Sequence, residues 1–384
     1  MALPFNFTRT LPSNELLFAY NNNVVEFESS NNLGLNSLRC LVYIGYDVYE
    51  IYPNTLNVFR FNFREAFQKI INQNHFADDK VLNVTALKTS CIIQNNIDTF
   101  SDRTVTYKIF LENGTFEQET KTLRFIKGVE NLQNFTNRKL LLDSGNNDFH
   151  LLTPFVKASD RAVSLTYFEG FPFDVPYYSH EHNDIVVTRA GGNFDNFVFP
   201  PGAGRFVISD GNQTIEQFIT LTEGANPLSF GVTVPIILNL KKVSGGCGTY
   251  LKWINKYGLW NYWLFNNRDE TQLETRDAKS LFNDFDGLED NPSPFLEIGK
   301  MSKERIVLNS TNVTADEMEY LKFLFESPKV YLYTIEDPTE FTGTENDFIE
   351  VKLKGNKLIT DNYRGSSFNV RATIELPARN TMTL

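Results

Sequence analysis

The chain is predicted to be mainly β, a set of β-sandwiches with two short accessory α-helices, and three observations lead there. Phe and Tyr are abundant, at 34 and 16 residues. Short runs rich in Val, Ile, Thr and aromatics recur between Gly, Asn, Asp and Pro punctuation, which is strand-and-turn chemistry. Several runs alternate, as in Val105-Thr-Tyr-Lys-Ile-Phe-Leu111, with the period of two that leaves one sheet face wet.

In chain order, strands are expected at residues 38–44, 48–52, 56–61, 105–111, 116–125, 184–189, 214–221, 232–240, 329–334, 348–353 and 368–376. Two segments carry helical periodicity instead. In the first, Asn62 precedes Glu65 in a capping arrangement, and Phe63, Phe67, Ile70 and Ile71 share a face; this helix should end near His75. In the second, Thr314-Ala-Asp-Glu317 is a capping box followed by Met318, Leu321, Leu324 and Phe325, and Ser327-Pro328 stops it. Each helix is expected to bury its apolar stripe against a sandwich.

Polar, turn-rich stretches at 131–137, 143–148 and 244–248 suggest three units: an N-terminal sandwich plus helix over 1–135, a middle β domain over 136–243, and a C-terminal β domain over 244–384. The acidic segment 266–300 reads as a long surface excursion. No internal repeat is visible.

Charge and composition exclude several classes. The 384 residues carry 36 basic and 47 acidic side chains, a net charge of −11, which argues against nucleic acid as a partner because phosphate neutralisation needs a basic face. The longest apolar run, 232–240, is interrupted by Pro235 and is too short to insert in a membrane. The first residues lack the basic start and apolar run of a secretory signal, so folding in a cytoplasm is expected. On that reading the seven Asn-x-Ser/Thr triplets are products of an Asn-rich composition.

Candidate chemistry is sparse. Cys40, Cys91 and Cys247 are too scattered for a disulfide framework or zinc site; the first two read as small buried hydrophobes, and Cys247 has no nucleophile signature around it. His180 and His182, at i and i+2, could share a metal ion with Glu169, Asp174 or Asp184 as a third ligand, although polar loop histidines are commoner. Asn283-Asp-Phe-Asp-Gly287 lacks the first and twelfth carboxylates of a calcium loop. Pro201-Gly-Ala-Gly204-Arg205 is a fragment of a phosphate fingerprint and reads as a turn. No nucleophile elbow or phosphate-binding lysine loop occurs. Neither a cofactor nor an enzymatic activity is expected.

One cluster stands out. All three tryptophans lie in Trp253-Ile-Asn-Lys-Tyr257-Gly258-Leu-Trp260-Asn-Tyr262-Trp263-Leu-Phe265. Two aromatic runs flank Asn255–Gly258, whose glycine can take the positive φ of a tight hairpin. On the second strand Trp260, Tyr262 and Leu264 share one face and Trp263 and Phe265 the other. Apolar groups on both faces mark either a central packed strand or an interface. Trp253, Tyr257, Trp260, Tyr262, Trp263 and Phe265 are therefore the candidate core or interface anchors; a carbohydrate platform would need these rings exposed.

The run Cys247-Gly-Thr-Tyr-Leu-Lys-Trp through Phe265 resembles a signature of tail-associated structural proteins of phages and prophages of Bacteroidetes bacteria. The opening is similar to the same group, in Ala19-Tyr-Asn-Asn-Asn-Val-Val-Glu26, Tyr52-Pro53 and Phe59-Arg-Phe-Asn-Phe-Arg-Glu65 leading to Phe76-Ala-Asp78. So is the late helix running into Ser327-Pro328-Lys329-Val330-Tyr331-Leu332. Residues from about 131 to 235 carry no match. The resemblance implies a virion protein at the tail tip or baseplate, of distal-tail type: a subunit of a cyclic homo-oligomer, with a hexamer as the candidate ring, that docks other tail or baseplate proteins after folding in the host cytoplasm. A receptor- or glycan-binding module of the tail, meeting host-surface glycan, and a neck or head-associated protein are the alternatives.

Overall fold

The computed structural model describes residues 5–30, 34–72, 76–78, 80–94, 100–130, 140–141, 149–153, 162–180, 183–189, 194–231, 235–282, 295–335, 347–355 and 367–378. The alternation read from the sequence builds the first sandwich. Strands β1 (Phe5–Arg9), β2 (Glu15–Phe18), β3 (Val24–Ser29), β4 (Ser37–Ile44), β5 (Asp47–Ile51) and β6 (Phe59–Asn62) lead into helix α1 (Arg64–Ile71). After it come β7 (Ile92–Gln94), β8 (Phe100–Leu111), β9 (Phe116–Ile126) and β10 (Leu140–Leu141). A three-stranded sheet, β1-β3-β6, faces a six-stranded one ordered β10-β2-β9-β8-β4-β5. Cys40, Val42 and Ile44 of β4 and Val105, Tyr107 and Ile109 of β8 point inward to Phe5, Phe27, Phe59 and Phe61 in one core. Helix α1 closes it, with Phe67 stacked on Phe125 at 3.6 Å.

This helix is shorter than its periodicity suggests. Phe63 occupies the N-cap position with no side-chain cap, while the Asn62 side chain accepts from the Arg64 amide at 3.1 Å, one turn position early for a capping box. The helix ends at Ile71, and His75 lies outside the described residues.

The middle of the chain supplies β11 (Phe149–Leu151), β12 (Ala162–Phe168), β13 (Pro172–Ser179), β14 (Asn183–Arg189), β15 (Phe194–Phe199), β16 (Gly202–Asp210), β17 (Gly224–Phe230) and β18 (Ile236–Val243). These make a four-stranded sheet, β11-β13-β16-β7, and a five-stranded one, β12-β18-β17-β14-β15. β7, which precedes residue 135 in sequence, thus belongs to a middle sheet; the 135/136 boundary itself falls outside the described residues. The strand expected at 214–221 is instead a 3-10 turn, Ile215–Gln217, whose entry is capped by the Thr214 hydroxyl. The Asp210 carboxylate accepts from the Asn212 and Gln213 amides at 2.9 and 2.7 Å, and this local bonding competes with strand extension.

The last third contributes β19 (Thr249–Ile254), β20 (Trp260–Phe265), β21 (Asn267–Phe282), β22 (Phe295–Val313), helix α2 (Ala315–Glu326), β23 (Val330–Tyr333), β24 (Phe348–Lys354) and β25 (Phe368–Glu375). Its seven-stranded sheet runs β20-β19-β23-β24-β25-β22-β21. The expected capping box of α2 is present in full, Thr314 and Glu317 each bonding the other's backbone. The surface excursion at 266–300 is largely the β21–β22 ribbon, stabilised by cross-strand pairs such as Arg305–Glu274 at 3.0 Å; the acidic turn at 283–294 lies outside the described residues. One continuous apolar core joins the middle sheets, this sheet and α2. Fold class, the presence of two helices and the capping of α2 therefore stand as read, whereas the capping and length of α1 do not. No helix among the described residues is long and apolar enough to cross a membrane.

Candidate functional site

The aromatic hairpin forms as predicted and lies where the sheets meet. β19 and β20 pair from Thr249↔Phe265 to Ile254↔Trp260. The connecting turn is held by Asn255, whose side-chain oxygen accepts from the Tyr257 and Leu259 amides at 2.8 and 3.2 Å. Gly258 has φ +77, and a Cβ there would meet the Lys127 carbonyl oxygen at 1.7 Å. Glycine is required twice, by backbone conformation and by the closeness of the next chain segment.

That segment directly follows β9. The Val129 amide donates to the Lys256 carbonyl at 2.7 Å, and Tyr257 packs with Leu16, Phe18, Ile126, Leu152, Tyr178 and Leu259 in a small separate core. The turn thus plugs into the N-terminal sandwich. Beside it a cleft of about 310 Å³ opens between Tyr20, Phe76, Lys127, Lys256 and the end of α2 at Phe323 and Glu326.

Each face of the hairpin is covered by different elements. On one, Trp263 packs edge-on against Phe168 at 5.2 Å and donates through Nε1 to the Ser310 hydroxyl at 3.1 Å. Trp253 meets the Tyr320 ring of α2 at 5.5 Å. On the other face Tyr250 stacks on Phe171 at 4.6 Å and donates to the Pro172 carbonyl at 2.6 Å. All six anchors, Trp253, Tyr257, Trp260, Tyr262, Trp263 and Phe265, are at most 6% exposed. These rings form no solvent-facing strip.

Below Tyr262 lies a buried charge cluster. Arg205 of β16 donates to Asp174 of β13 through Nε and Nη2 at 3.0 and 2.6 Å, to both Asp78 oxygens through Nη1 at 3.0 and 3.2 Å, and to the Tyr262 hydroxyl at 2.7 Å. Lys252 of β19 donates to Asp78 at 2.9 Å, and the Tyr262 hydroxyl donates to Asp174. Lys252 also lies 4.0 Å from the Phe348 ring centroid and 4.8 Å from that of Trp260, a placement that favours its charge. Two cations and two carboxylates are thereby matched inside the protein.

Burial shapes every titration here. It would lift the Asp78 carboxyl, but the charges of Arg205 and Lys252 outweigh it and hold that group below its usual value. Burial would likewise lower Arg205, yet Asp174 and Asp78 carry it well above its usual value. For Lys252 burial prevails and the ammonium is pulled down, Asp78 offsetting only part of the loss. The Tyr262 hydroxyl is pushed well up, first by burial. Such a charge-matched, buried set is a clamp between chain segments; within it Asp174 Oδ1 has no hydrogen-bond partner among the described residues.

The other candidates fall elsewhere. Gly204 and Arg205, read as a turn, lie inside β16; the turn is at Pro200–Gly202, where Gly202 has φ 100, and a Cβ on Gly204 would strike the Tyr177 hydroxyl at 2.3 Å. His180 holds the Arg124 guanidinium, Nδ1 at 2.8 Å, and His182 is outside the described residues. Of the suggested third ligands, Glu169 pairs with Lys242 at 2.8 Å and Asp174 with Arg205. Among the described residues no three His, Cys, Asp or Glu side chains converge for a metal. Cys40 and Cys91 are buried, which pushes their thiols up to about 12 and about 11, while Cys247 is exposed. The charge cluster had only a faint sequence signal, a Lys and a Tyr inside the aromatic run and an Arg preceded by an unusually placed glycine.

Fold and site together define a multi-sheet β protein whose units are pinned by a buried aromatic hairpin. No protein-family model matches the chain, and neither does any curated protein. Among solved structures it is similar to fibronectin(III)-like modules of Clostridium thermocellum CbhA, at 6% identity over 62% of this chain and 94% of that one, TM-score 0.19. It is also similar to a carbohydrate-binding module of the β-sandwich superfamily, at 11% identity over 99% and 90%, TM-score 0.19. A Ca²⁺-stabilised, ice-binding adhesin of an Antarctic bacterium matches at 8% identity over 81% and 70%, TM-score 0.18.

Proposed function

We propose that this chain is a structural subunit of a phage virion, at the tail tip or baseplate, which forms a ring and docks other tail proteins. The observation that carries the reading is the hairpin junction. A single turn enters the N-terminal sandwich, both faces of the same hairpin enter the remaining core, and a buried ion cluster ties Asp78, Asp174, Arg205 and Lys252 of three sequence regions together. Such pinning resists relative motion of the sheets, which is what a load-bearing ring subunit needs and a hinged enzyme or flexible tether does not. The motif resemblance at both ends of the chain points the same way. A glycan-binding role through the hairpin is not supported, since its rings are covered.

Electron microscopy and native mass measurement of the purified full-length chain test this directly. Closed rings of one symmetry are expected, and the chain should copurify with assembled virions. A strictly monomeric protein that is absent from purified particles would refute the proposal. Genes flanking the coding sequence separate its variants: a tape-measure neighbour places the subunit in the tail tip, a portal or capsid neighbour in the neck or head.

A further inference from the structure

The six-stranded sheet turns one face to its core and the other to solvent, and the outer face carries chemistry that a merely solvated sheet does not need. Register sets its side chains in rows across β5, β4, β8 and β9. One row has Leu41 between Glu50 and Lys108, with Gln118 beyond. The next has Arg39, Phe110 and Phe116. Tyr52, two positions past Glu50, shares that side of the sheet. Tyr52 and Phe116 are 67% and 53% exposed.

Charge on these rows is unequal. Arg39 pairs with Glu50 at 2.8 Å, and Arg39 and Tyr52 together hold that carboxyl below its usual value. Lys108 differs, since no carboxylate pairs with it among the described residues. Its ammonium lies 3.7 Å from the Phe116 ring centroid and 5.3 Å from that of Phe110, so the rings steady the cation and leave its charge uncompensated. The Arg39 guanidinium stands 5.0 Å from the Phe110 centroid in the same manner. On a chain of net charge −11, two cations to one acid make these rows locally positive. At ~0.15 M salt, charges farther away than about 8 Å are screened.

Area decides what such a face can hold. Two rows of four side chains cover about 250 Å², with strands about 4.8 Å apart and same-face residues about 6.6 Å apart. That is roughly a third of the ~800 Å² each partner gives to a standard protein interface, and it is an open sheet face where a peptide takes a groove or a free strand edge. A sugar needs less. An aromatic side chain serves its apolar C–H face, planar polar groups serve its hydroxyls, and one cation serves the carboxylate of a uronic or sialic acid. We propose that this face binds an acidic glycan, a short run of carboxylate-bearing sugars, with Tyr52 and Phe116 stacking on the sugars, Arg39, Glu50 and Gln118 bonding hydroxyls and Lys108 pairing with the carboxylate. The site is separate from the hairpin, whose rings are covered, and it does not depend on oligomerisation of the chain.

Isothermal titration of the full-length protein tests this with three acidic probes, oligogalacturonate, oligomannuronate and oligosialate, and with neutral dextran oligomers for comparison. The variants are Lys108→Gln, which removes the charge, and Tyr52→Ser combined with Phe116→Ser, which removes the open rings. All three positions lie on the solvent face, so thermal unfolding, measured alongside, should match the parent. Expected are binding of at least one acidic probe by the parent, no binding of dextran, and affinity at least about tenfold weaker in each variant. A parent chain that binds none of the acidic probes overturns the proposal. Dextran bound as tightly as the acidic probes overturns the acidic ligand, and variants that bind as the parent does overturn this face as the site. Variants that keep the glycan affinity but no longer assemble with copies of the chain would give the face to a protein partner instead.

Discussion

Replacing Arg205 with Met probes the clamp under the hairpin. The substitution keeps much of the side-chain volume but removes five donors from a site where Arg205 is 1% exposed and Asp174 2% exposed. Asp78 retains Lys252; Asp174 retains only the Tyr262 hydroxyl. Breaking a buried pair on one side costs about 3–5 kcal/mol, because an uncompensated charge is left behind. At about 2–4 °C per kcal/mol for units of this size, the melting temperature of the shared core should fall by roughly 6–20 °C. In the parent, Asp78 is held below its usual value, the charges of Arg205 and Lys252 outweighing burial, so the stability this contributes is present at neutral pH and lost only as pH falls through that lowered value. Adding Asp174→Leu should recover part of the loss at pH 7 by removing the orphaned charge, followed by thermal unfolding. A variant within about 2 °C of the parent would show that the cluster is not a clamp.

Three further perturbations follow from the same geometry. Gly258→Ala introduces a Cβ 1.7 Å from the Lys127 carbonyl at a φ of +77, so limited proteolysis should cleave between the N-terminal sandwich and the rest of the chain faster than in the parent; equal cleavage rates would count against the docked turn. Trp263→Ala empties a site bounded by Phe168, Tyr320 and Ser310 and should cost about 3–5 kcal/mol in denaturant unfolding, whereas an effect under about 1 kcal/mol would mean the ring is not a core anchor. Thr314→Ala removes the N-cap acceptor of α2 and should cost about 1 kcal/mol, measurable as a small shift of the denaturant midpoint with unchanged slope.

How much of this was legible in the sequence depended on how local its cause is. The period of two in Val105–Leu111 and the Thr314–Glu317 box are written within a few residues, and both elements appear as read. The hairpin was equally local, because Gly258 and the aromatic alternation specify it. Thr214 to Leu221 failed for the opposite reason: its composition suits a strand, but Asp210 and Thr214 bond nearby amides and turn the chain. The charge cluster could not have been assembled from spacing, since Asp78 and Lys252 are separated by 174 positions and nothing in either neighbourhood names the other. That β7 leaves the first 135 residues to complete a middle sheet is likewise a long-range pairing, invisible to composition.

The clamp and the hairpin form one continuous connection through the molecule. β22 runs to Ser310, which accepts from Trp263 of the hairpin. From Trp263 the path runs along β20 to Tyr262, Arg205 and Asp174, and through the hairpin turn to Val129, just past the end of β9. β9 pairs with β8, β8 with β4 and β4 with β5. A series of strand pairings and buried hydrogen bonds therefore links the last sheet to the N-terminal sandwich. A chain that only needed to fold could have left that sandwich tethered by a linker, so a stiff connection between units gives the otherwise costly burial of four charges a use beyond stability.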